Sequence, residues 1–534
     1  MATATDAPAP SSTRPVAVIA IDAGTTSVRA LAFDAAGRIV AIAQRPLTQH
    51  FPAAGWVEHD AAEIWTLCDA CLGEVTAQLA ASNHAVASIG ITNQRETAVA
   101  WDRATGRPLG PAIVWQDRRT AGRCDDLAAA GSLAMVRERT GLVLDPYFSA
   151  TKWAWLLAEG GVANGPDLAL GTVDAWILWN LTGGAGDRAA GVTRGVLATD
   201  VSNASRTSLL DIRTAAWDEE LCELFGVPIA ALAQVRPSSG RFGVVAAGRA
   251  VAAGTPVSGI AGDQQAALFG QACFAPGQTK NTYGTGSFLL ANVGTVCPGE
   301  AEGLLTTIAW QLGDGPVTYA LEGSIFVTGA AVQWLRDGLG IIDEAAGVTA
   351  LASSVADAGG CVVVPAFTGL GSPWWDPYAR GAIFGLTRGV GRAHIARAVL
   401  ESMAFQTRDV VEAMAVAAGL NLDVLRVDGG AAASQLLLSL QADQLGVPVA
   451  RAATPEATAL GAAWLAGLAE SVWPDLDALA AMWSSDAAVV PSQDRAAADA
   501  SHQRWLSAVA RSRRLAAATP PVPRPSITPE RAAP

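Results

Sequence analysis

The 534-residue chain has room for about three domains of ordinary size, or for two large ones. It is 51% hydrophobic and 16% charged, ample for sizeable cores and unlike a disordered polymer. A net charge of -13 excludes nucleic acid as a natural partner, suits a cytoplasmic protein, and requires any phosphate site to concentrate positive charge locally.

Residues 1–14 are rich in Ala, Thr and Pro, lack the basic and apolar regions of a signal peptide, and read as a disordered tail. No apolar run reaches the roughly 18 residues of a membrane span. Seven cysteines (Cys68, Cys71, Cys124, Cys222, Cys273, Cys297, Cys361) form no framework and read as reduced thiols. Cys68-x-x-Cys71 lies in a helical pattern over Ala61–Leu79, with neither a second Cys pair nor a suitably spaced His, and reads as packing.

Val16–Ile21 is an unbroken apolar run, a strand buried on both faces. It ends in Asp22-Ala-Gly-Thr-Thr-Ser27, strand character resumes from Val28 to Phe33, and a third strand follows a turn at Asp34–Gly37. A hairpin joined through Gly, Thr and Ser presents N–H and hydroxyl donors outward, as a nest for phosphate does, with Arg29 close by; a plain hairpin is the alternative. Glu58-His-Asp60 and Glu63 put acidic residues at a helix start. The strand Val86–Thr92 delivers Asn93-Gln-Arg-Glu-Thr97 at its end. Arg95 beside Glu96 offers a donor fork and an acceptor, which suits a small polyol; a surface ion pair is the plain alternative. Ile113–Arg118 again runs from apolar to polar, with Trp115 facing either substrate carbons or the core. Asp145–Lys152 reads as a loop into an aromatic-rich helix at Trp153–Ala158, Asn203–Thr207 as a polar turn, and Arg241–Thr255 as a loop.

Pro256–Ile260 is another strand, broken at Gly262, and Asp263-Gln-Gln265 opens a helix over Gln264–Gln271. An Asp at such a junction either caps the helix or takes a proton from a substrate hydroxyl in a cleft. Lys280-Asn-Thr-Tyr-Gly-Thr-Gly-Ser-Phe288 repeats the strand–turn–strand layout of Asp22–Phe33, which predicts an internal duplication with a phosphate hairpin in each half. Leu425-Arg-Val-Asp-Gly-Gly430 is a strand and a Gly pair before a helix, where a ligand can approach the backbone. Neither a Rossmann fingerprint nor a P-loop is present there. The last stretch, 513–534, is Pro/Ala-rich and reads as a second tail.

Ile91–Thr97, Gly259–Gly270, Asn281–Gly286, Pro365–Gly371, Trp375–Arg388 and Arg426–Gly430 together resemble the FGGY carbohydrate kinases, the glycerol kinases among them, from about Val16 to Gly467. The resemblance implies an α/β fold of two actin-like, ribonuclease-H-type domains, 15–270 and 271–512, with the active site in the cleft between them. It implies transfer of the γ-phosphoryl group of ATP to glycerol with Mg²⁺, giving sn-glycerol 3-phosphate and ADP. By position it implies Arg95, Glu96, Trp115, Tyr147, Asp263, Gln264 and Phe288 for glycerol, with Asp263 as base. For the nucleotide it implies Thr25, Thr26, Ser27, Arg29, Thr285, Gly329, Gln333, Ala431 and Gln435, and for Mg²⁺, through water, Asp22. A homodimer or homotetramer is usual in the family.

Three departures qualify the resemblance. Ser434 and Gln435 stand where the family usually has an Asn pair. Val251-Ala-Ala-Gly254 stands where well-known bacterial members carry the Gly-Gly-Thr-Arg loop for fructose 1,6-bisphosphate, so that inhibition should be weak or absent. Residues 491–502 do not match the helix that docks a phosphotransferase regulator. A kinase for a bulkier sugar would need a more open site than Arg95, Glu96, Trp115 and Tyr147 suggest, and a chaperone-type ATPase would have no use for those residues.

Overall fold

The computed structural model describes residues 14–186, 193–492 and 494–515. Both expected tails lie outside the described residues, apart from Arg14 and residues 513–515.

Two mixed sheets organise the chain. The first contains β1 (Val16–Ala23), β2 (Ser27–Asp34), β3 (Ile39–Pro46), β4 (Ala85–Asn93), β5 (Ser239–Val244) and β6 (Pro256–Gly262), in the order β3-β2-β1-β4-β6-β5. β1, β2 and β3 pair antiparallel, β4 lies parallel to β1 and β6, and β5 closes the edge antiparallel. The second sheet contains β7 (Thr279–Tyr283), β8 (Ser287–Gly294), β9 (Leu305–Gln311), β10 (Val317–Ile325), β11 (Leu425–Asp428), β12 (Val449–Ala452) and β13 (Ser485–Val489). Its order is β9-β10-β8-β7-β11-β12-β13, with β7 parallel to β11 and β11 to β12, and the other neighbours antiparallel. From β10 through β12 this repeats the five-strand pattern that runs from β3 through β6 in the first sheet, so the expected duplication is present in the topology; the edge strands differ, β5 preceding its neighbour in the chain and β13 following it.

Side chains alternate across β1, as the period of a strand requires. Ala17, Ile19 and Ile21 enter the core with helices α1 (Ala61–Ala81) and α2 (Val173–Leu181), while Val18 and Ala20 join Leu31 and Phe33 in a second core with α3 (Asp263–Gly270) and α4 (Ala457–Ala469). Both faces are covered, which is why the strand reads as a continuous apolar run. α1 is capped by Asp60, whose carboxylate accepts the Ala62 N–H at 2.8 Å, and Cys68 and Cys71 lie on its buried face.

α4 comes late in the chain yet packs under the first sheet against α3. The approach is close: a Cβ on Gly461 would lie 1.9 Å from the Ala266 carbonyl, and one on Gly270 equally near that of Ala457. The two halves therefore share a core, built around the helix that begins at Asp263.

Three expectations about local structure change. Residues 241–244 are not loop but part of β5, the edge strand paired with β6. The aromatic-rich helix spans Ser149–Ala158, starting four residues ahead of Trp153 because the ammonium of buried Lys152 gathers the carbonyls of the residues before it. Only the first two residues of the expected polar turn, Asn203 and Ala204, are helical, ending the short helix Val201–Ala204 whose N-terminus is capped by buried Asp200; Ser205 to Thr207 turn as expected.

Candidate active site

β6 ends at Gly262, and Asp263 is the first residue of α3. Of the backbone N–H groups its Oδ1 accepts only the adjacent one of Gln264, at 2.7 Å, so it does not cap the donors deeper in the first turn and the capping alternative fails. The side chain retains 31% exposure, and its Oδ1 lies 3.2 Å from Arg95 Nε. Burial pushes the Asp263 carboxyl up to about 6; Arg95 and Lys280 oppose this, while Glu96 and Asp22 add to it.

Arg95 and Glu96 follow the end of β4 and are 2% and 1% exposed, so they are no surface pair. The Thr97 N–H closes on the Arg95 carbonyl at 2.7 Å, and Glu96 sits at φ +61°, a γ-turn of the rare, strained kind that leaves Glu96 Oε1 3.8 Å from Arg95 Nε. Each finds its main partner elsewhere. Arg95 grips Glu322 on β10 through Nη1 and through Nη2 at 3.2 Å, and Nη2 also donates to the Tyr147 hydroxyl at 3.2 Å. Glu96 accepts from Arg206 Nε at 2.7 Å, and Arg206 Nη2 donates to Glu322 at 3.0 Å. Sequence reasoning missed Arg206 and Glu322. The one available signal was a lone charged residue, Glu322, in the strand-like run Tyr319–Ile325.

Three rings wall this cluster. Trp115 meets Tyr147 edge-on at 5.6 Å and Phe288 at 6.3 Å, and the Arg95 guanidinium lies 5.9 Å from the Phe288 ring. The Trp115 indole N–H donates to the Thr25 hydroxyl at 3.0 Å, tying the wall to the β1–β2 turn. Lys152, also missed, anchors the Tyr147 loop by donating to the carbonyls of Pro146, Tyr147 and Phe148 at 2.6–2.9 Å. Gln264 accepts from Lys280, which also donates to Thr282 at 2.9 Å; burial brings this ammonium down to about 8 against the pull of Asp428.

The expected nucleotide residues lie at and beside the β1–β2 and β7–β8 turns, in the helix Gly329–Gln333 and after the Gly429 turn. Thr25 and Thr26 occupy the β1–β2 turn, with Thr26 exposed, and Ser27 opens β2. Arg29 pairs with Asp22 and, at 2.7 Å, with Glu456 just before α4, so both of its terminal nitrogens are occupied by carboxylates. Thr285 lies exposed in the β7–β8 turn, whose Gly284 carbonyl accepts the Gly329 N–H at 3.1 Å; Gln333 ends the helix that Gly329 begins. Ala431 lies in the short 3₁₀ helix after Gly429, which has φ +88° and passes so near Tyr283 that a Cβ would stand 2.3 Å from its carbonyl. Ser434 caps the helix Gln435–Leu445 by accepting the Leu437 N–H at 3.3 Å, and leaves the adjacent Gln435 exposed as the free amide. Among the described residues no group of three or more His, Cys, Asp or Glu could hold a metal ion.

A ring-walled cluster of charged and polar groups, tied to a Thr/Ser-rich hairpin turn, suits a small-molecule phosphotransferase. Residues 17–270 match the N-terminal domain of the FGGY family of carbohydrate kinases and residues 279–470 its C-terminal domain. The chain belongs to this family. It is 52% identical over 517 residues to the glycerol kinase of Dechloromonas aromatica, covering 94% of this chain and 98% of that one, and 53% identical over 499 residues to that of Halorhodospira halophila, covering 93% and 96%. The crystal structure of Plasmodium falciparum glycerol kinase with ADP superposes with a TM-score of 0.85 at 34% identity, covering 93% of this chain and 98% of that one. Xylulose kinase of Lactobacillus acidophilus, 20% identical with a TM-score of 0.82 and covering 94% and 99%, shares the fold.

Proposed function

We propose that the chain phosphorylates glycerol, transferring the γ-phosphoryl group of ATP to a terminal hydroxyl to give sn-glycerol 3-phosphate and ADP. The observation that carries the reading is the Asp263–Arg95 pair, 3.2 Å apart beside the ring wall. Glycerol is three carbons bearing three hydroxyls, so it is recognised by paired hydrogen bonds and ring packing. Arg95 and Gln264 donate to its oxygens, Glu96 and Asp263 accept from its hydroxyls, and Trp115, Tyr147 and Phe288 enclose its carbons.

In the reaction the terminal O–H proton passes to Asp263 as the oxygen bonds to the γ-phosphorus and the bond from that phosphorus to the β-bridging oxygen breaks, releasing ADP. A carboxyl with its pKa near 6 is ionised at neutral pH yet basic enough to accept that proton. Thr25, Thr26, Ser27 and Thr285 hold phosphate oxygens, Arg29 contributes charge, and Gly329, Gln333, Ala431 and Gln435 border the adenosine. Mg²⁺ retains several waters and takes further ligands from nucleotide phosphates, which fits a site with no protein cage. Asp22, 5% exposed at the end of β1, would hold one of those waters; the ion supplies neutralisation of the phosphate charge. The domains extend over 15–270 and 271–512 and the protein acts in the cytoplasm, where six of its seven free thiols are buried. It assembles as a homodimer or homotetramer, which light scattering on the purified protein will resolve.

The test is product identity. The protein is incubated with Mg²⁺-ATP and glycerol, dihydroxyacetone, erythritol, xylulose or ribulose, and products are read by phosphorus NMR and a stereospecific glycerol-3-phosphate dehydrogenase. Glycerol should give the highest kcat/KM and only the sn-3 ester. A preference for another polyol would refute the pocket assignment, and ADP formed equally well without an acceptor would refute the kinase reading.

A further inference from the structure

Four charged side chains from distant parts of the chain meet in the interior: Arg95 and Glu96 after β4, Arg206 after the helix Val201–Ala204, and Glu322 on β10 of the second sheet. All are at most 2% exposed. Glu322 is the centre. Its Oε1 accepts from Arg95 Nη2 at 3.2 Å, from Arg206 Nη2 at 3.0 Å and from the Ser324 hydroxyl at 3.3 Å, and its Oε2 accepts from Arg95 Nη1. The far side of the Arg95 guanidinium, its Nε, faces Asp263 at 3.2 Å. Arg206 is fixed at both ends, by Glu96 at 2.7 Å and Glu322, while its guanidinium lies 5.6 Å from the Tyr147 ring and 5.3 Å from that of Phe148.

We propose that Glu322 and Arg206 are positioning residues for the polyol site: Glu322 sets the tilt of Arg95 against Asp263 from the opposite sheet, and Arg206 holds Glu96 in its turn and backs the Tyr147 ring. The inference rests on the glycerol reading above. Two considerations separate it from plain stabilisation. Buried ion pairs contribute little net stability compared with apolar packing of the same volume, so a network of this depth has to be explained by geometry. In addition, Glu322 is the link that the second sheet supplies, so the Arg95–Asp263 geometry forms only when both halves of the cleft are assembled. Burial alone would raise the Glu322 carboxyl, yet Arg206 and Arg95 hold it down at about 2, charged throughout the working range.

The experiment compares wild type with Glu322→Gln, Glu322→Asp and Arg206→Lys, measuring glycerol-dependent ADP release, the KM values for glycerol and ATP, the pH profile and the melting temperature. Glu322→Gln should lower kcat/KM for glycerol about 100-fold, as expected for a misplaced catalytic constellation, with the ATP KM within about threefold. The charged groups acting on Asp263 are Arg95, Glu96, Lys280 and Asp22. With Glu322 neutral, the Arg95 charge bears on Asp263 uncompensated, and the acid limb of the profile should move to lower pH. Glu322→Asp should recover part of the loss, and Arg206→Lys, which keeps the charge but loses the fork, should raise the glycerol KM about tenfold. Three results would overturn the proposal: kinetics unchanged in all variants, a loss shared equally by glycerol and ATP and tracking melting temperature, or failure of every variant to fold. If wild type itself releases no glycerol-dependent ADP, the underlying glycerol reading fails instead.

Discussion

Replacing Asp263 by Asn should abolish turnover and at the same time stabilise the fold. The folded carboxyl titrates near 6 against 3.8 for the free group, a difference of about two units. At about 1.4 kcal/mol per unit, ionisation in the folded state costs about 3 kcal/mol, and screening at a side chain 31% exposed reduces that to about 1–2 kcal/mol. The folded protein holds this proton more tightly than the unfolded chain, so the stability linked to Asp263 falls as pH rises from about 4 to about 6 and stays low above that. Asn keeps an acceptor oxygen for the Arg95 Nε–H and cannot ionise. For a chain of this length about 1 kcal/mol corresponds to about 1 °C, so calorimetry at pH 8 should find the variant melting about 1–2 °C higher, with the gap narrowing below about pH 6 and closing near pH 4. A variant less stable at pH 8, or a gap independent of pH, would refute the account of Asp263 as a carboxyl destabilised by its burial.

The wild-type profile of kcat/KM for glycerol should fall on the acid side with an apparent pKa near 6, because the base must be deprotonated; a profile flat down to pH 5 would contradict it. Lys152→Met removes three hydrogen bonds from the Tyr147 loop and should raise the glycerol KM several-fold while leaving the ATP KM unchanged. Gly429→Ala puts a methyl group against the Tyr283 carbonyl at a left-handed position, and should raise the ATP KM and lower the melting temperature, with glycerol affinity the less affected of the two. Fructose 1,6-bisphosphate should not inhibit at sub-millimolar levels: the Val251–Gly254 turn has no cation, and nearby Arg249 lies over the Trp65 ring at 5.2 Å; clear inhibition in a titration would contradict this.

What the sequence disclosed follows from how local each signal is. The β1–β2 hairpin, the strand end before Asp263 and the Gly429 turn are each written within a dozen residues, in apolar runs and turn chemistry, and the structure has them where those signals lie. The network behind the site is written nowhere locally. Arg95 and Glu322 are 227 residues apart in the chain, and Arg206 and Glu322 are 116 apart, so a polar turn and a lone Glu in a strand acquire meaning only once the two sheets meet. Asp263 shows the opposite case: composition allowed both a cap and a base, and the helix start one residue earlier than expected removed the cap. Residues 241–244 of β5 read as loop in the sequence because, on an edge strand, they lack the apolar run that marks the central strands.

The most direct test of the account is glycerol-dependent ADP release by wild type and Asp263→Asn under identical conditions, with Mg²⁺-ATP saturating. The account predicts robust release by wild type that requires glycerol, and a fall of several orders of magnitude in kcat for a variant that remains folded and still binds nucleotide. A variant retaining more than about a tenth of wild-type kcat would contradict it, since positioned proton transfer contributes at least 10²-fold where it operates.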